Sequence, residues 1–243
     1  MAMKFFDYQL ATSLEEAPYV DATRRTPLVA CFLNPHSFVT ALHDGTFRKA
    51  LRECDLLFPD GVGICDAVRH VRHVRIDKIA GDDFHRRLLQ ELDSTHGRIF
   101  YLGSRPEVLR RIRARLAAEH PSIAVATHAP TYARHLPAQE SRDILREIDD
   151  FAPDALMVGM TAPKQEKWIH AHLPHLATPK VVAAIGGVFE FYAGTERRAP
   201  RWACDHHLEW LFRLAKSPLR MARRNLVSTP KFLWYVHTHK DLM

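Results

Sequence analysis

From Leu28 onward the chain alternates short apolar runs with stretches whose apolar residues recur every three or four positions. Runs of that length read as strands and the helical spacing as amphipathic helices, so their alternation predicts a parallel sheet covered by helices. The strand candidates are Leu28–Leu33, Asp55–Phe58, Arg98–Leu102, Ile123–Thr127, Ala155–Gly159 and Val181–Ile185. Between them, Phe38, Leu42 and Leu51, then Val108, Leu109, Ile112 and Leu116, then Ile144, Leu145 and Ile148 fall at helical spacing. Proline suits the first helical position, where no N–H is needed, and it marks helix starts after Arg105 and after Ala162. Beyond Gly194 the strand rhythm stops, and Asp205–Lys216 and Leu219–Ser228 read as two amphipathic helices. The expectation is a Rossmann-like α/β domain over residues 1–196, a parallel sheet flanked by helices, with a C-terminal helical appendage over residues 197–243.

Open parallel sheets bind ligands beyond the carboxyl ends of their strands. The polar and glycine residues there are Asn34, Pro59-Asp60-Gly61, Gly103-Ser104, Gly159 to Pro163 ahead of Gln165, and Gly186-Gly187. Asp60 follows the apolar run Leu56-Leu57-Phe58 and precedes two nearby glycines, so a ligand can approach it closely. A partly desolvated carboxylate in that position suits a general base, and a carboxylate there equally suits the cap of a helix beginning near Gly61. Gln165 and Glu166 fall in the first turn of a helix. Its free amides can hold an anion and Gln165 can add a directed hydrogen bond, while Glu166 reads as a residue complementing the helix dipole.

With 243 residues, 47% hydrophobic and 26% charged, the chain has the composition of a globular protein with one large core, which excludes disorder and coiled coil. The longest candidate membrane segment, Val181 to Phe189, is strand-length and stops at Glu190. The first 24 residues carry Asp7, Glu15, Glu16 and Asp21 and lack the order of a signal peptide, so a cytoplasmic location is expected. Cys31, Cys54, Cys65 and Cys204 lack zinc-site spacing and read as reduced core residues. Charge changes the picture more. Between Arg197 and Lys240 ten Lys or Arg residues face two acids, a net +8 in a chain of +6, which leaves −2 for the rest. Trp202, Trp210 and Trp234 share that segment, and basic residues interleaved with aromatics suit an anionic membrane surface or nucleic acid.

Several chemistries are excluded. Gly61-Val62-Gly63-Ile64-Cys65-Asp66 lacks the third glycine of a dinucleotide loop, and no P-loop or GxSxG elbow occurs. His170 and His172 point to different faces of a helix and His206-His207 are adjacent, so the histidines give no metal site. No Asp-x-Asp pair occurs, and any phosphate must be met by Arg, Lys and helix N-termini.

From Leu28 to Phe232 the chain resembles the WecG/TagA/CpsF glycosyltransferases, glycosyltransferase family 26. The resemblance rests on a series of motifs in order: Asn34-Pro35, Phe58-Pro59-Asp60-Gly61-Val62-Gly63, Ala80-Gly81-Asp82-Asp83, Tyr101-Leu102-Gly103, and Val158-Gly159-Met160 leading to Ala162-Pro163-Lys164-Gln165-Glu166-Lys167-Trp168. Gly186-Gly187-Val188-Phe189, Ala193-Gly194, Arg197 to Trp202, Leu208 to Leu214, and Pro218 with Arg220, Arg223 and Arg224 complete it. It implies inverting transfer of a sugar from a UDP-sugar to a polyprenyl-diphosphate-linked sugar at the cytoplasmic face of the membrane, in cell-surface polysaccharide assembly. No metal or other cofactor is implied. Asp60 matches the proposed catalytic base and Asn34 and Gln165 match site residues. Lys78, Gly103, Gly159 and Gly187 are assigned to substrate with them, as are Arg198, Arg213, Arg220, Arg223 and Arg224 in an appendage that meets the membrane and closes over the diphosphates.

The chain departs from the family pattern in places. Phe32-Leu33-Asn34 stands where Thr-x-Asn is frequent, and Lys78 stands where arginine is common, which keeps the charge but loses bidentate geometry. Thr161 and His207 replace frequent glycines. His128-Ala129-Pro130-Thr131-Tyr132 resembles the proline-containing variant of exopolysaccharide and common-antigen enzymes and points to a donor other than UDP-N-acetylmannosamine. The rival readings are a nucleic-acid-binding module built on the basic segment and a catalytically silent UDP-sugar-binding scaffold; a homo-oligomer stays open.

Overall fold

In a computed structural model of the chain, residues 2–14, 19–21, 23–133, 136–196 and 223–239 are described. Eight strands form one sheet in the order β1-β2-β4-β3-β8-β7-β5-β6. Strands β3 (Leu28–Leu33), β4 (Leu56–Pro59), β5 (Arg98–Gly103), β6 (Ala124–His128), β7 (Ala155–Gly159) and β8 (Val181–Ala184) match the six predicted runs to within a residue at each end. They pair in parallel, with Cys31 beside Leu57, Val29 beside Val182 and Val158 beside Ala184. Both faces of β3, β4, β5, β7 and β8 are largely buried, which is why they read as apolar runs rather than as alternation, while β6 at the sheet edge is half-exposed.

Alternate residues of β3 feed two cores. Val29, Cys31 and Leu33 pack under α1 (Pro35–His43), α2 (Gly45–Arg52), α3 (Val62–Arg72), α6 (Ala138–Phe151) and α7 (Lys164–His172). Leu28, Ala30 and Phe32 pack under α4 (Gly81–Thr95), α5 (Pro106–Glu119) and α8 (Gly186–Tyr192). The chain steps outward from β3 to β4, crosses to β5 and β6, and returns through β7 to β8. The boundary between β3 and β8 is therefore where the winding reverses, the usual place for a ligand crevice in such sheets.

An N-terminal hairpin of β1 (Ala2–Phe5) and β2 (Tyr8–Ala11) extends the sheet, antiparallel to each other and joined to β4 at Leu10 beside Leu57. Its turn lacks glycine or asparagine. Phe6 takes the left-handed conformation (φ 54°) and is held there by its ring packing on Phe5 and Phe38. Pro106 opens α5 as predicted. Pro163 does not open α7: it sits one position earlier as the N-cap, and the helix begins at Lys164.

Of the predicted appendage helices, Asp205–Lys216 lies outside the described residues, and Leu219–Ser228 is described only from Arg223, where a π-helical turn runs to Ser228. A final helix, α9 (Thr229–Thr238), follows. Phe232 and Val236 bury one face of it in the α1 side of the core, with the Phe232 ring 5.2 Å from Phe38 and 6.4 Å from Phe5. Among the described residues no helix is long and apolar enough to cross a membrane.

Candidate active site

Strand register brings the ends of β4, β3, β8 and β7 to a common edge. Leu33 pairs with Pro59, Val158 with Ala184, and the Ile185 N–H donates to the Val158 carbonyl at 3.0 Å. Asp60 follows directly, its own N–H donating to the Leu33 carbonyl at 2.8 Å. Gly61, with φ at +91°, turns the chain sharply so that α3 can begin at Val62. Gly61 is the N-cap of α3 and no side chain caps it, so the capping role open to Asp60 is not what the structure adopts. The half-buried Asp60 carboxylate makes no hydrogen bond or ion pair among the described residues. A carboxylate held by its backbone with both oxygens unengaged can accept a proton from a bound hydroxyl.

The surrounding residues close around it in steps. Asn34 caps α1, its Oδ1 accepting the Ser37 N–H at 3.0 Å, so half of its amide is committed to the helix. A Cβ at Gly63 would lie 2.7 Å from Pro35 Cγ, which shows how tightly the starts of α3 and α1 abut. From His73 to Ala80 an extended strap carries half-buried Lys78 back to the site, and the Ile79 N–H donates to the Pro59 carbonyl at 2.9 Å. The strap then enters α4, whose Gly81 sits against Ile185 and Val188. The N-termini of α1, α3, α4 and α7 thus begin along one edge, and their free amides favour an anion there.

On the other side of the crevice, Gln165 and Glu166 are 5% and 3% exposed. Gln165 Nε2 donates to Glu166 Oε1 at 2.9 Å, while Gln165 Oε1 and Glu166 Oε2 are buried without a partner. A Cβ at Gly186 would lie 2.6 Å from Gln165 Oε1, so that carbonyl faces the turn after β8. Burial pushes the Glu166 carboxyl up to about 7, against which the amide of Gln165 acts only in part. Glu166 is therefore a buried group supporting Gln165 and not an exposed complement to the helix dipole. Lys164, beside them, donates from Nζ to the Ala133 carbonyl at 2.8 Å, and burial lowers its pKa.

Two predicted glycines have packing reasons of their own. Gly103 takes φ +127°, and a Cβ there would lie 2.3 Å from the Gly159 carbonyl oxygen. One at Gly159 would enter the Phe189 ring. Gly187, exposed and facing open space, is free to meet a ligand. Ser104, after Gly103, hydrogen-bonds Glu190 on α8 at 2.9 Å, a link no spacing rule in the sequence reveals. Arg198, Arg213 and Arg220 lie outside the described residues; Arg223 and Arg224 begin the π-helical turn before α9. The structure thus brings Asn34, Asp60, Lys78, Gln165 and Gly187 to one edge, and it adds Glu166 to them.

A sequence model of the glycosyl transferase WecG/TagA/CpsF family matches residues 4–241. Curated relatives include an N-acetylglucosaminyldiphosphoundecaprenol N-acetyl-beta-D-mannosaminyltransferase of Bacillus spizizenii, 28% identical over 240 residues that cover 98% of this chain and 90% of that protein. Proteins of the same name from Bacillus subtilis and Staphylococcus aureus are 29% and 27% identical, over 89% and 84% of this chain and 81% and 77% of theirs.

Proposed function

The chain belongs to the WecG/TagA/CpsF glycosyltransferase family, and on that footing we propose that it moves a sugar from a UDP-sugar to a sugar linked to polyprenyl diphosphate, inverting the anomeric centre. The observation that carries the proposal is the unengaged Asp60 carboxylate at the strand edge where four helix N-termini begin. Asp60 takes the proton from the acceptor hydroxyl as that oxygen bonds to the anomeric carbon, on the face opposite the nucleotide. The bond from that carbon to the diphosphate oxygen breaks, and its electron pair leaves with UDP. Negative charge growing on the diphosphate is met by groups already in place, the helix amides and Lys78, joined by Arg198, Arg213, Arg220, Arg223 and Arg224 from the C-terminal segment. Gln165, oriented by Glu166, and Asn34 hold substrate hydroxyl or amide groups, with Gly187 giving the room for close approach.

Residues 1–196 then form the catalytic domain and 197–243 a basic, aromatic segment that meets the cytoplasmic face of the membrane. The relatives' names make a polyprenyl-diphosphate-linked N-acetylglucosamine the first acceptor to assay and UDP-N-acetylmannosamine the first donor. The segment His128 to Tyr132 argues for including other UDP-sugars. UDP release is measured with purified protein across that panel, with and without a short polyprenyl-diphosphate-sugar in detergent. Acceptor-dependent release with one donor is expected. Absence of UDP binding would refute the reading.

A further inference from the structure

A single polar pair ties the C-terminal segment to the Asp60 edge across 192 residues of sequence: His36 Nδ1 and Ser228 Oγ are hydrogen-bonded at 2.8 Å. Ser228 is buried. His36 is the second residue of α1, and its position is fixed from the sheet upward. The Asp60 N–H holds the Leu33 carbonyl, Asn34 caps α1 through the Ser37 N–H, and Pro35 lies against Gly63 at the start of α3. His36 therefore stands at the end of α1 that begins at the site.

Its partner ends the turn Arg223–Ser228, which winds as a π-helix and packs on α1. Such turns are rare and frequent at functional sites, and their i to i+5 bonding puts Arg223 and Arg224 one turn ahead of Ser228. Phe232 and Val236 anchor α9 in the core, but apolar burial is non-directional. The His36–Ser228 bond is directional. A buried hydroxyl that loses its partner is costly, so this bond selects the register of the turn in which Ser228 meets His36. Ser228 stands at the N-cap of α9 without a side-chain cap bond, so its hydroxyl serves α1 and not its own helix.

We propose that His36 and Ser228 are positioning residues for the transfer, their hydrogen bond seating the turn that carries Arg223 and Arg224 at the start of α1, beside the Asp60 edge. The proposal rests on the transferase reading, in which these arginines meet the charge of the departing diphosphate, and it gives a role to two residues outside that chemistry. Both act through the turn and not on substrate. Loosening the pair withdraws the arginines from a charge that grows only in the transition state, so kcat falls while the donor KM changes little. A misplacement of about 1 Å at such a group can cost on the order of 100-fold in rate.

The test uses the full chain carrying His36→Leu, His36→Asn or Ser228→Ala. Steady-state UDP release with a short polyprenyl-diphosphate-sugar acceptor is read beside amide hydrogen exchange over residues 223–228. His36→Leu and Ser228→Ala should each lower kcat roughly 10- to 100-fold with the donor KM within about two-fold of wild type. Both should speed exchange in the turn and keep the melting temperature, because Phe232 still anchors α9. The asparagine amide can stand near the place of Nδ1, so His36→Asn should recover most of kcat and of the protection. The double variant His36→Leu/Ser228→Ala should be no slower than either single variant, since all three lose the same bond. Unchanged kcat in both single variants alongside faster exchange overturns the proposal and leaves the pair structural only. Additive losses, or equal losses for His36→Asn and His36→Leu, also overturn it, because His36 would then act apart from Ser228. If wild type itself releases no UDP, the transfer reading fails by itself. Exchange then decides the seating: faster exchange in His36→Leu with recovery in His36→Asn supports it, and unchanged exchange overturns it.

Discussion

Replacing Glu166 with glutamine should stabilise the protein at alkaline pH. The carboxyl is buried, one oxygen accepts from Gln165 and the other has no partner, and its pKa rises from 4.5 to about 7. A carboxyl whose pKa is raised on folding favours the folded state most where it is protonated. That contribution is complete below about pH 4.5, falls away as pH rises toward 7, and is gone above it. Each pH unit between the two values is worth about 1.4 kcal/mol, so ionised Glu166 costs about 3 kcal/mol at pH 8. Glu166→Gln keeps the acceptor for Gln165 Nε2 and removes the charge. Thermal unfolding followed by circular dichroism should show the variant melting roughly 5–10 °C above wild type at pH 8. The two melting temperatures should converge near pH 4.5. A variant no more stable than wild type at pH 8, or a gain of the same size at both pH values, would refute the account of this buried group.

Gly103→Ala should cost at least about 2 kcal/mol in chemical denaturation, because φ is +127° and the new methyl would meet the Gly159 carbonyl; unchanged stability would show that the two turns can separate. Phe232→Ala should cost about 3–5 kcal/mol and free α9, read as loss of protection from proteolysis after residue 223, since the ring is fully buried between Phe5 and Phe38. Asp44→Ala should cost about 1 kcal/mol, as Asp44 caps α2 through the Phe47 N–H at 3.0 Å and pairs with Lys167.

The parallel core was legible because all its strands but the edge strand β6 are largely buried on both faces and are separated by helices long enough to show their period. The N-terminal hairpin was not, since strands of four residues offer little alternation and its turn relies on Phe6, held at positive φ by tertiary packing. Strand ends pointed to Asp60, Asn34 and Gln165, but sequence could not choose between cap and free carboxylate for Asp60. That choice depended on Gly61 standing at the N-cap position. Glu166 read as an ordinary first-turn acid because exposure is invisible in spacing. Its burial follows from α7 packing between α2 and the β7–β8 strands. Gly103 and Gly159 looked like ligand-facing glycines, and the structure gives both a reason in backbone crowding.

The central claim is that Asp60 is the base of a sugar transfer, and single-turnover UDP release by Asp60→Asn tests it most directly. The acceptor is a short polyprenyl-diphosphate-sugar, and UDP affinity is measured on the same preparation by calorimetry. Asparagine preserves the shape of the side chain but cannot take a proton, so release should fall to the level seen without acceptor while UDP affinity stays within a few-fold of wild type. Near-normal release by the variant would contradict the account.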